Sequence, residues 1–259
     1  MKVFTTSTSS NGDYQTANLT IETGYKIISG GGRMAGGDIL MVESYPVDET
    51  TWITTHSDHV VDTLGESAAY AIGLYDPNDE WDVSIFSAES TSSASPSVSV
   101  SVPDGYLMTG GGIQVTSSDS GVGIVLIGSY PSGNDTWTAV GNQHINPGTG
   151  KVKAYAIGLK HRTFFCLLDC AISMLESNPP AQHPTVTITR TDPIIIGGGA
   201  LGTPPHNSTI HAGNCLIDTY PGVTDGTNWV AKAKDHMLIQ FDRVTAYAIE
   251  CPNININFV

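Results

Sequence analysis

The sequence predicts an all-β fold in which one supersecondary unit occurs three times about a pseudo-threefold axis, giving three antiparallel sheets. Three observations carry this prediction: a tryptophan motif of constant internal spacing, a glycine run ahead of each copy, and segments of alternating polarity. The unit recurs about every 85 residues, so three copies nearly account for the 259-residue chain. We therefore expect a single domain, residues 1–259, with repeats at approximately 17–90, 97–177 and 184–259.

The tryptophan motif is the strongest of these signals. At three of the four tryptophans, a histidine follows by seven residues and a tyrosine within an Ala-Tyr-Ala-Ile stretch follows by 18. The three copies are Trp52, His59 and Tyr70; Trp137, His144 and Tyr155; and Trp229, His236 and Tyr247. Because the intervening residues differ, composition does not explain the constant spacing. It indicates one repeated structural unit.

Matched residues also precede each tryptophan. Tyr-Pro dipeptides stand at 45–46, 130–131 and 220–221, and triple glycines stand at 30–32, 110–112 and 197–199. Proline cannot donate to a β-ladder and therefore ends a strand, whereas glycine within a strand marks a bulge or a close approach of another backbone. We expect a sharp corner or close contact that the fold needs three times.

Alternating polarity predicts the strands themselves. Residues 17–23, 98–102 and 185–190 place Leu, Ile or Val on one face and mostly Ser or Thr on the other, as in half-buried strands. The sixth strand of each repeat is expected at 81–86, 164–172 and 253–258, and residues 1–16 are expected to be a polar lead-in. No segment has a convincing helical period.

The fourth and fifth strands of each repeat carry the tryptophan and the tyrosine, and a hairpin between them would set their register. Its pairs would be Trp52 with Leu74, Trp137 with Leu159, and Trp229 with Cys251. Because side chains alternate along a strand, the tyrosine would share the tryptophan's face and the histidine would face outward.

The composition excludes some functional classes. A formal net charge of -14 disfavours nucleic-acid binding, which needs clustered Lys and Arg. No run of 18 apolar residues predicts a transmembrane helix. The first residues lack the apolar core of a signal peptide. Secretion is nevertheless the localisation that the sequence favours.

The four cysteines do not settle the compartment. Cys166 and Cys170 would lie about 13 Å apart on a strand, too far for a disulfide. Cys215 and Cys251 could pair, but no repeated cysteine framework supports that pairing. No cysteine and histidine spacing typical of a zinc site is present.

The repeated aromatic residues have two interpretations. Trp52, Trp137 and Trp229 are expected to form three copies of a core cluster, since the same face carries isoleucines. The alternative is a set of exposed platforms on which sugar rings stack.

The repeated polar residues are the candidate ligand-binding set. Each histidine follows a residue that forms hydrogen bonds, which gives the groups Asp58 with His59, Gln143 with His144, and Asp235 with His236. They predict three equivalent polar sites; alternatively the histidines close their own loops, or they converge as a three-histidine metal site. We expect no bound metal and no cofactor.

Acidic turns are a second candidate set. Asp48, Asp135 and Asp225 each lie between the Tyr-Pro dipeptide and the tryptophan. Carboxylate oxygens accept hydrogen bonds from sugar hydroxyls, although Asp is also an ordinary turn residue. Residues 76–82 offer oxygen ligands for calcium, but a solvated acidic turn is the favoured interpretation.

The triple-glycine, Tyr-Pro, Trp and Ala-Tyr-Ala-Ile sets together resemble those of β-prism proteins: jacalin-like lectins, vitelline membrane outer layer proteins, and prism modules of pore-forming toxins. A sandwich or a trefoil-like barrel is the alternative architecture. The resemblance implies a non-enzymatic, multivalent, lectin-like protein that binds a glycan or glycosylated surface. An oligomer is compatible with this expectation. The other functional hypotheses are a structural or adhesive coat protein and a receptor-binding toxin module. No catalytic motif of hydrolases, metalloproteases or nucleotide-binding enzymes occurs.

Overall fold

The computed structural model describes residues 1–10, 14–36, 39–58, 64–117, 124–143, 148–163, 169–190, 192–203, 215–222, 227–236 and 239–252. Within these ranges the fold is all-β, as predicted, with three six-stranded antiparallel sheets. No helix that could span a membrane occurs in them. The strands are β1 (Lys2–Ser10), β2 (Tyr14–Thr20), β3 (Tyr25–Ala35), β4 (Ile39–Pro46), β5 (Thr51–Asp58), β6 (Gly65–Tyr75), β7 (Trp81–Glu89), β8 (Ser97–Ser101), β9 (Leu107–Ser117), β10 (Ile124–Pro131), β11 (Thr136–Gln143), β12 (Gly150–His161), β13 (Ala171–Glu176), β14 (Thr185–Thr189), β15 (Ile194–Thr203), β16 (Cys215–Pro221), β17 (Asn228–Lys234) and β18 (Arg243–Cys251).

The three sheets have equivalent strand orders. Sheet A is β1-β6-β3-β16-β17-β14, sheet B is β7-β12-β9-β4-β5-β2, and sheet C is β13-β18-β15-β10-β11-β8. In each order, the second and third strands come from one repeat and the fourth to sixth strands come from another. In sheet A, for example, β6 and β3 belong to the first repeat, whereas β16, β17 and β14 belong to the third. The repeats therefore interlock, and no sheet belongs to a single repeat. This three-sheet arrangement agrees with the β-prism architecture that the sequence resembles.

The predicted hairpin between the fourth and fifth strands of a repeat is wrong. In the first repeat β5 pairs with β2 and β4 in sheet B, whereas β6 pairs with β1 and β3 in sheet A. Trp52 therefore lies opposite Leu19 and Pro46 and not opposite Leu74. The spacing of 18 residues is the length of a crossover between sheets, and spacing alone does not distinguish a crossover from a hairpin.

The N-terminal segment is not a polar lead-in. It forms β1, which pairs with β6 from Lys2 opposite Gly73 to Ser10 opposite Gly65, and β2, which begins at Tyr14. In sheet A, β1 takes the edge position that β7 and β13 hold in the other sheets. The Ser- and Thr-rich sequence of β1 did not predict a strand, because an edge strand needs little apolar surface. Phe4 is the buried hydrophobic residue of this strand.

The sixth strand of the second repeat differs from its predicted position. The described strand is Ala171–Glu176, which overlaps the predicted range 164–172 only at its end; residues 164–168 lie outside the described residues. In the third repeat the predicted strand at 253–258 lies outside the described residues. β1 occupies the edge of sheet A that corresponds to the sixth strand of the third repeat. The other half of sheet A, formed by β16, β17 and β14, comes from that third repeat.

The three tryptophans are core residues, as predicted, with at most 1% of their surface exposed. This burial rules out the stacking-platform alternative. Each indole N–H donates a 3.0 Å hydrogen bond to the hydroxyl that precedes the Tyr-Pro dipeptide, in the pairs Trp52 with Ser44, Trp137 with Ser129, and Trp229 with Thr219. These bonds satisfy a donor that would be costly to bury alone.

The tyrosines do not share the tryptophan clusters, contrary to the prediction. Trp52 packs with Ala69 and Ala71, whereas Tyr70, which alternates with them, packs with Tyr220 in a separate cluster. The tyrosine of each Tyr-Pro dipeptide contacts an Ala-Tyr-Ala-Ile tyrosine of another repeat, with ring centroids 4.8 to 5.0 Å apart: Tyr45 with Tyr155, Tyr130 with Tyr247, and Tyr220 with Tyr70. These pairs join repeats on the outer faces of the sheets.

The triple glycines mark close backbone contacts, as predicted. A Cβ atom on Gly31 would lie 1.9 Å from the carbonyl oxygen of Thr219, and one on Gly199 would lie 2.3 Å from that of Ser129. The central strands β3, β9 and β15 also meet one another here, since a Cβ on Gly197 would lie 1.9 Å from the Thr109 carbonyl oxygen. Side chains at these positions would force the sheets apart.

Candidate functional site

A cleft of about 460 Å³ lies where β9 of sheet B meets the β10–β11 turn and the start of β13 in sheet C. We call it the seam cleft. Its polar side chains are Asn134, Asp135 and Asp169, and its apolar and aromatic lining includes Tyr106, Leu107, Met108, Ile172 and Ile249. Of the site residues predicted from the sequence and described in the structure, Asp135 alone lines this cleft.

Two turns bring the polar residues of the seam cleft together. Gly105 has a φ of 89°, a left-handed conformation that suits glycine, and it sets the entry into β9. The backbone N–H of Val102 donates to the carbonyl oxygen of Asp135 at 2.8 Å, which ties the two turns together. The Asp135 carboxylate accepts the Thr136 hydroxyl at 2.7 Å through Oδ1. Its Oδ2 has no hydrogen-bond donor among the described residues and is available to a ligand.

Tyr106 forms a rigid wall of the seam cleft. Its hydroxyl donates to Asp82 Oδ2 at 2.7 Å, and this bond is the main cause of the lowered pKa of Asp82. The Lys160 ammonium lies 4.4 Å from the ring centroid, and Phe86 packs edge-on at 5.4 Å. A ring held at its hydroxyl and on its face can support a ligand without losing further side-chain entropy.

A disulfide between Cys170 and Cys251 lies at the back of the seam cleft, with a Cα separation of 4.2 Å. Cys251 therefore does not pair with Cys215, a pairing that the sequence left open, and Cys215 is a buried thiol. The antiparallel pairing of β13 with β18 brings Cys170 opposite Cys251. The bond fixes the edge strand that contributes Ile172 to the cleft.

The equivalent place in the first repeat is closed by an internal cation. Gly24 has a φ of 86° and precedes Tyr25, as Gly105 precedes Tyr106, so Lys26 corresponds to Leu107. The Lys26 ammonium lies 3.3 Å from Asp76 and 3.8 Å from Glu49, and it also pairs with Asp79. Burial lowers the pKa of Lys26, but its hydrogen bonds to Asp79 and Asp76 outweigh this effect and raise it above the usual value.

The acidic segment 76–82 is a largely exposed turn, as expected, but Asp76 and Trp81 within it are buried. Asp76 is buried and accepts the backbone N–H groups of Glu80 at 2.8 Å and Trp81 at 3.1 Å. Hydrogen bonds from Lys26 and Arg162 lower the pKa of Asp79. Lys26 and Arg162 therefore neutralise Asp76 and Asp79, two of the carboxylates that were considered as calcium ligands.

The predicted histidine sites can be followed only in the third repeat, because His59 and His144 lie outside the described residues. His236 is 3% exposed, so the prediction of an outward-facing, solvent-accessible ring is wrong there. That prediction extended strand alternation through the histidine, but β17 ends at Lys234. Beyond the end of the ladder, alternation no longer fixes the direction of a side chain.

The residues that precede the histidines also have local roles. Asp235 Oδ1 lies 3.1 Å from His183 Nε2, and Oδ2 accepts the Gln240 backbone N–H at 3.2 Å. Gln143 lies opposite Ile124 at the end of β11, and the backbone of Asp58 lies opposite Ile39 at the end of β5. The structure therefore does not bring these residues to the seam cleft.

The acidic turns differ from one another. Asp48 Oδ1 accepts both the backbone N–H and the hydroxyl of Thr50 at 2.8 Å, so this carboxylate closes its own turn. Burial raises the pKa of Asp48, but the hydrogen bonds from Thr50 and Thr51 outweigh it and lower the pKa. Asp225 lies outside the described residues. Asp135 is the member of the set that faces a cleft.

Sequence reasoning missed a buried polar trio, Gln15, His56 and Ser67. His56 is fully buried; its Nδ1 lies 2.8 Å from Ser67 Oγ and its Nε2 lies 3.2 Å from the Ile217 carbonyl oxygen. Neither amide atom of Gln15 has a hydrogen-bond partner among the described residues. Strand register gives the equivalent sets as Pro96, Gly141 and Val152, and Pro184, Ala233 and Val244. A comparison of the three repeats would have found this polar exception.

Comparison with known proteins does not name a family: no protein-family model matches the chain, and no curated protein matches it. Among the described residues, no group of three His, Cys, Asp or Glu side chains is arranged to hold a metal ion.

Proposed function

We propose that this prism-like protein is a non-enzymatic carbohydrate-binding protein that holds its ligand in the seam cleft. The main support for this proposal is the lining of the seam cleft. Asn134, Asp135 and Asp169 lie there beside Tyr106 and apolar side chains. Amide and carboxylate oxygens accept hydrogen bonds from sugar hydroxyls, while aromatic and aliphatic surface packs against the C–H faces of the ring.

The charge of the cleft favours a neutral sugar. Two of its three polar side chains are aspartates, so this cleft would repel an anionic ligand. The disulfide between Cys170 and Cys251 is typical of proteins from oxidising compartments, where most glycans are displayed. Both observations support a neutral extracellular glycan as the ligand.

We expect the second repeat to bind ligand in this cleft and the first repeat to have no equivalent binding cleft. In the first repeat Lys26 fills the equivalent space and neutralises its carboxylates. Multivalent binding, which the repeats predicted, would then come from association of chains or from sites of another kind.

A glycan array followed by calorimetric titration tests the proposal. Wild-type protein should bind a neutral glycan, and Asp135→Ala and Asp169→Ala should each weaken binding by at least about tenfold through loss of hydrogen bonds to the sugar. Asp48→Ala is the matched control, since it removes an exposed turn carboxylate outside the cleft. Absence of glycan binding would overturn the proposal and favour the structural or adhesive coat protein. Binding that survives both cleft substitutions would refute the site.

A further inference from the structure

A groove of about 370 Å³ runs across the outer face of sheet A over β1, β6 and β3. We call it the sheet A groove. Its polar lining consists of Thr5, Thr6, Ser7, Arg33, Glu66 and the edge of Tyr70. It shares no lining residue with the seam cleft, and the inference drawn from it does not rest on the proposed glycan function.

The outer faces of the three sheets can be compared at one equivalent row of residues. Each row consists of the residue two positions before the Ala-Tyr-Ala-Ile tyrosine and its partners on the two neighbouring strands. Strand register gives the rows as Glu89, Lys153 and Gln114 in sheet B; Glu176, Thr245 and Leu201 in sheet C; and Ser7, Ala68 and Arg33 in sheet A. Sheet A alone places two small side chains beside an arginine. The groove exists because those two side chains are small.

Long side chains fill the same place in the other sheets. In sheet B, Glu89 is ion-paired with Lys151 at 2.8 Å, and the Lys153 ammonium lies 5.0 Å from the Tyr155 ring centroid. In sheet C, Glu176 is ion-paired with Arg243. At the position equivalent to Lys151 and Arg243, sheet A has the acidic residue Glu66.

Arg33 is the cation of the sheet A groove. Within the described residues it forms no ion pair; a hydrogen bond with Tyr70 is the main cause of its raised pKa. The nearby carboxylate of Asp218 is already engaged, since it accepts the Met34 backbone N–H at 2.8 Å and lies 3.1 Å from the Lys232 ammonium. A guanidinium that faces a groove without a carboxylate partner is suited to bidentate recognition of a ligand's carboxylate.

We infer that the sheet A groove binds a small hydroxy acid, with the ligand's carboxylate on Arg33 and its hydroxyls on Glu66 and the hydroxyls of β1. The pairing of a cation at one side with an acceptor at the other selects ligands that carry both groups. An acidic monosaccharide has this chemistry, and so does a simpler hydroxy acid. A plain carboxylate lacks the hydroxyl that Glu66 would accept.

The test uses the full chain and four probes: glucuronate, glucose, acetate and lactate. Titration followed by NMR or calorimetry should show binding of glucuronate, with glucose and acetate each at least about tenfold weaker because each lacks one of the two recognised groups. A lactate titration separates the sources, since lactate binding at similar strength would identify hydroxy acids in general and much weaker binding would identify the sugar acid.

Matched variants locate the site. Arg33→Gln should weaken glucuronate binding by at least about tenfold. The double variant Ser7→Glu with Glu66→Lys copies the Glu89 and Lys151 pair of sheet B and should close the groove. Lys151→Gln, which removes a cation from sheet B, should leave binding unchanged. Ala68→Lys, which copies Lys153, is a second way to fill the groove if the double variant does not fold.

Three results would overturn the inference: no glucuronate binding by wild-type protein, equal binding of acetate, or unchanged binding in folded Arg33→Gln. Asp135→Ala separates this site from the seam cleft. It should retain glucuronate binding even where it loses a neutral glycan, so failure of either proposal can be recognised independently of the other.

Discussion

His56 Nδ1 lies 2.8 Å from the hydroxyl oxygen of Ser67, although β5 and β6 belong to different sheets. The same ring contacts the Ile217 carbonyl oxygen of sheet A through Nε2 at 3.2 Å. One fully buried imidazole of sheet B is thus hydrogen-bonded twice to sheet A. The equivalent positions hold Gly141 with Val152 and Ala233 with Val244, so of these three described places only this one has a titratable side chain.

The stability contribution of His56 should decrease as the pH falls from about 6.5 to about 4. Burial lowers the pKa of the folded state to about 4, below the ordinary value of 6.5, and the charge of nearby Lys234 acts in the same direction. The unfolded state therefore binds the proton first. The contribution is complete above pH 6.5 and is lost progressively down to pH 4, a change of about 3 kcal/mol. Urea unfolding across this range measures it.

The control for this prediction copies another repeat. Gln15→Pro, His56→Ala and Ser67→Val together reproduce Pro184, Ala233 and Val244 of the third repeat. The combined variant should show a shallower loss of stability between pH 6.5 and pH 4 than wild-type protein. Identical pH profiles for the two proteins would show that His56 is not the titrating group.

The hydrogen bond between each tryptophan and its hydroxyl partner should be worth more than an exposed one. Ser44→Ala removes the acceptor of the buried Trp52 indole N–H and should lower the free energy of unfolding by about 1 to 3 kcal/mol. Ser101→Ala, which removes an exposed hydrogen bond with Thr136, should change it by less than about 1 kcal/mol. Chemical denaturation compares the two. Equal effects would mean that the buried donor finds another acceptor.

The central glycines should be intolerant of a methyl group. Gly31→Ala would place Cβ 1.9 Å from the Thr219 carbonyl oxygen, so the sheets must separate, and the expected loss exceeds about 3 kcal/mol. Gly133→Ala is the control, because its nearest neighbour would be 3.5 Å away in an ordinary contact. Thermal melting of both variants checks the expectation. A stable Gly31→Ala protein would mean that the close contact at the centre of the fold can relax.

The disulfide should stabilise the protein mainly by restricting the unfolded chain. Cys170 and Cys251 are 81 residues apart, and reduction should lower the free energy of unfolding by about 2 to 4 kcal/mol. The variant Cys170→Val with Cys251→Leu copies the facing pair Val83 and Leu159 of sheet B. It should melt at the same temperature with and without reductant, whereas wild-type protein should not. If reductant did not change the melting temperature of the wild-type protein, the disulfide between Cys170 and Cys251 would be contradicted.

Much of the fold could be predicted because it depends on local periodicity and on repetition. Alternating polarity located most strands, and the threefold spacing predicted three sheets. The burial of Trp52, Trp137 and Trp229 followed from their size and their apolar neighbours. The role of the glycine runs followed from the lack of a side chain. Each of these properties belongs to a short stretch of chain and is repeated three times.

The candidate site could be predicted only in part. Asp135 was recognised as a turn carboxylate, but the sequence treated Asp48 and Asp135 alike. Their difference depends on neighbours from other strands. Asp48 accepts hydrogen bonds within its own turn, whereas Asp135 lines the seam cleft together with Tyr106 and Asp169, which come from distant parts of the chain.

The sequence by itself determined the strands, the threefold repetition and the core residues, because side-chain alternation and size act within a few neighbouring residues. Only the tertiary structure decided which strands pair, that β1 completes sheet A, that Cys170 meets Cys251, and which equivalent positions are open or filled. The spacing of 18 residues fits a hairpin and a crossover equally well. The choice between them depends on burying the apolar faces of three sheets against one another, an interaction among segments far apart in the chain.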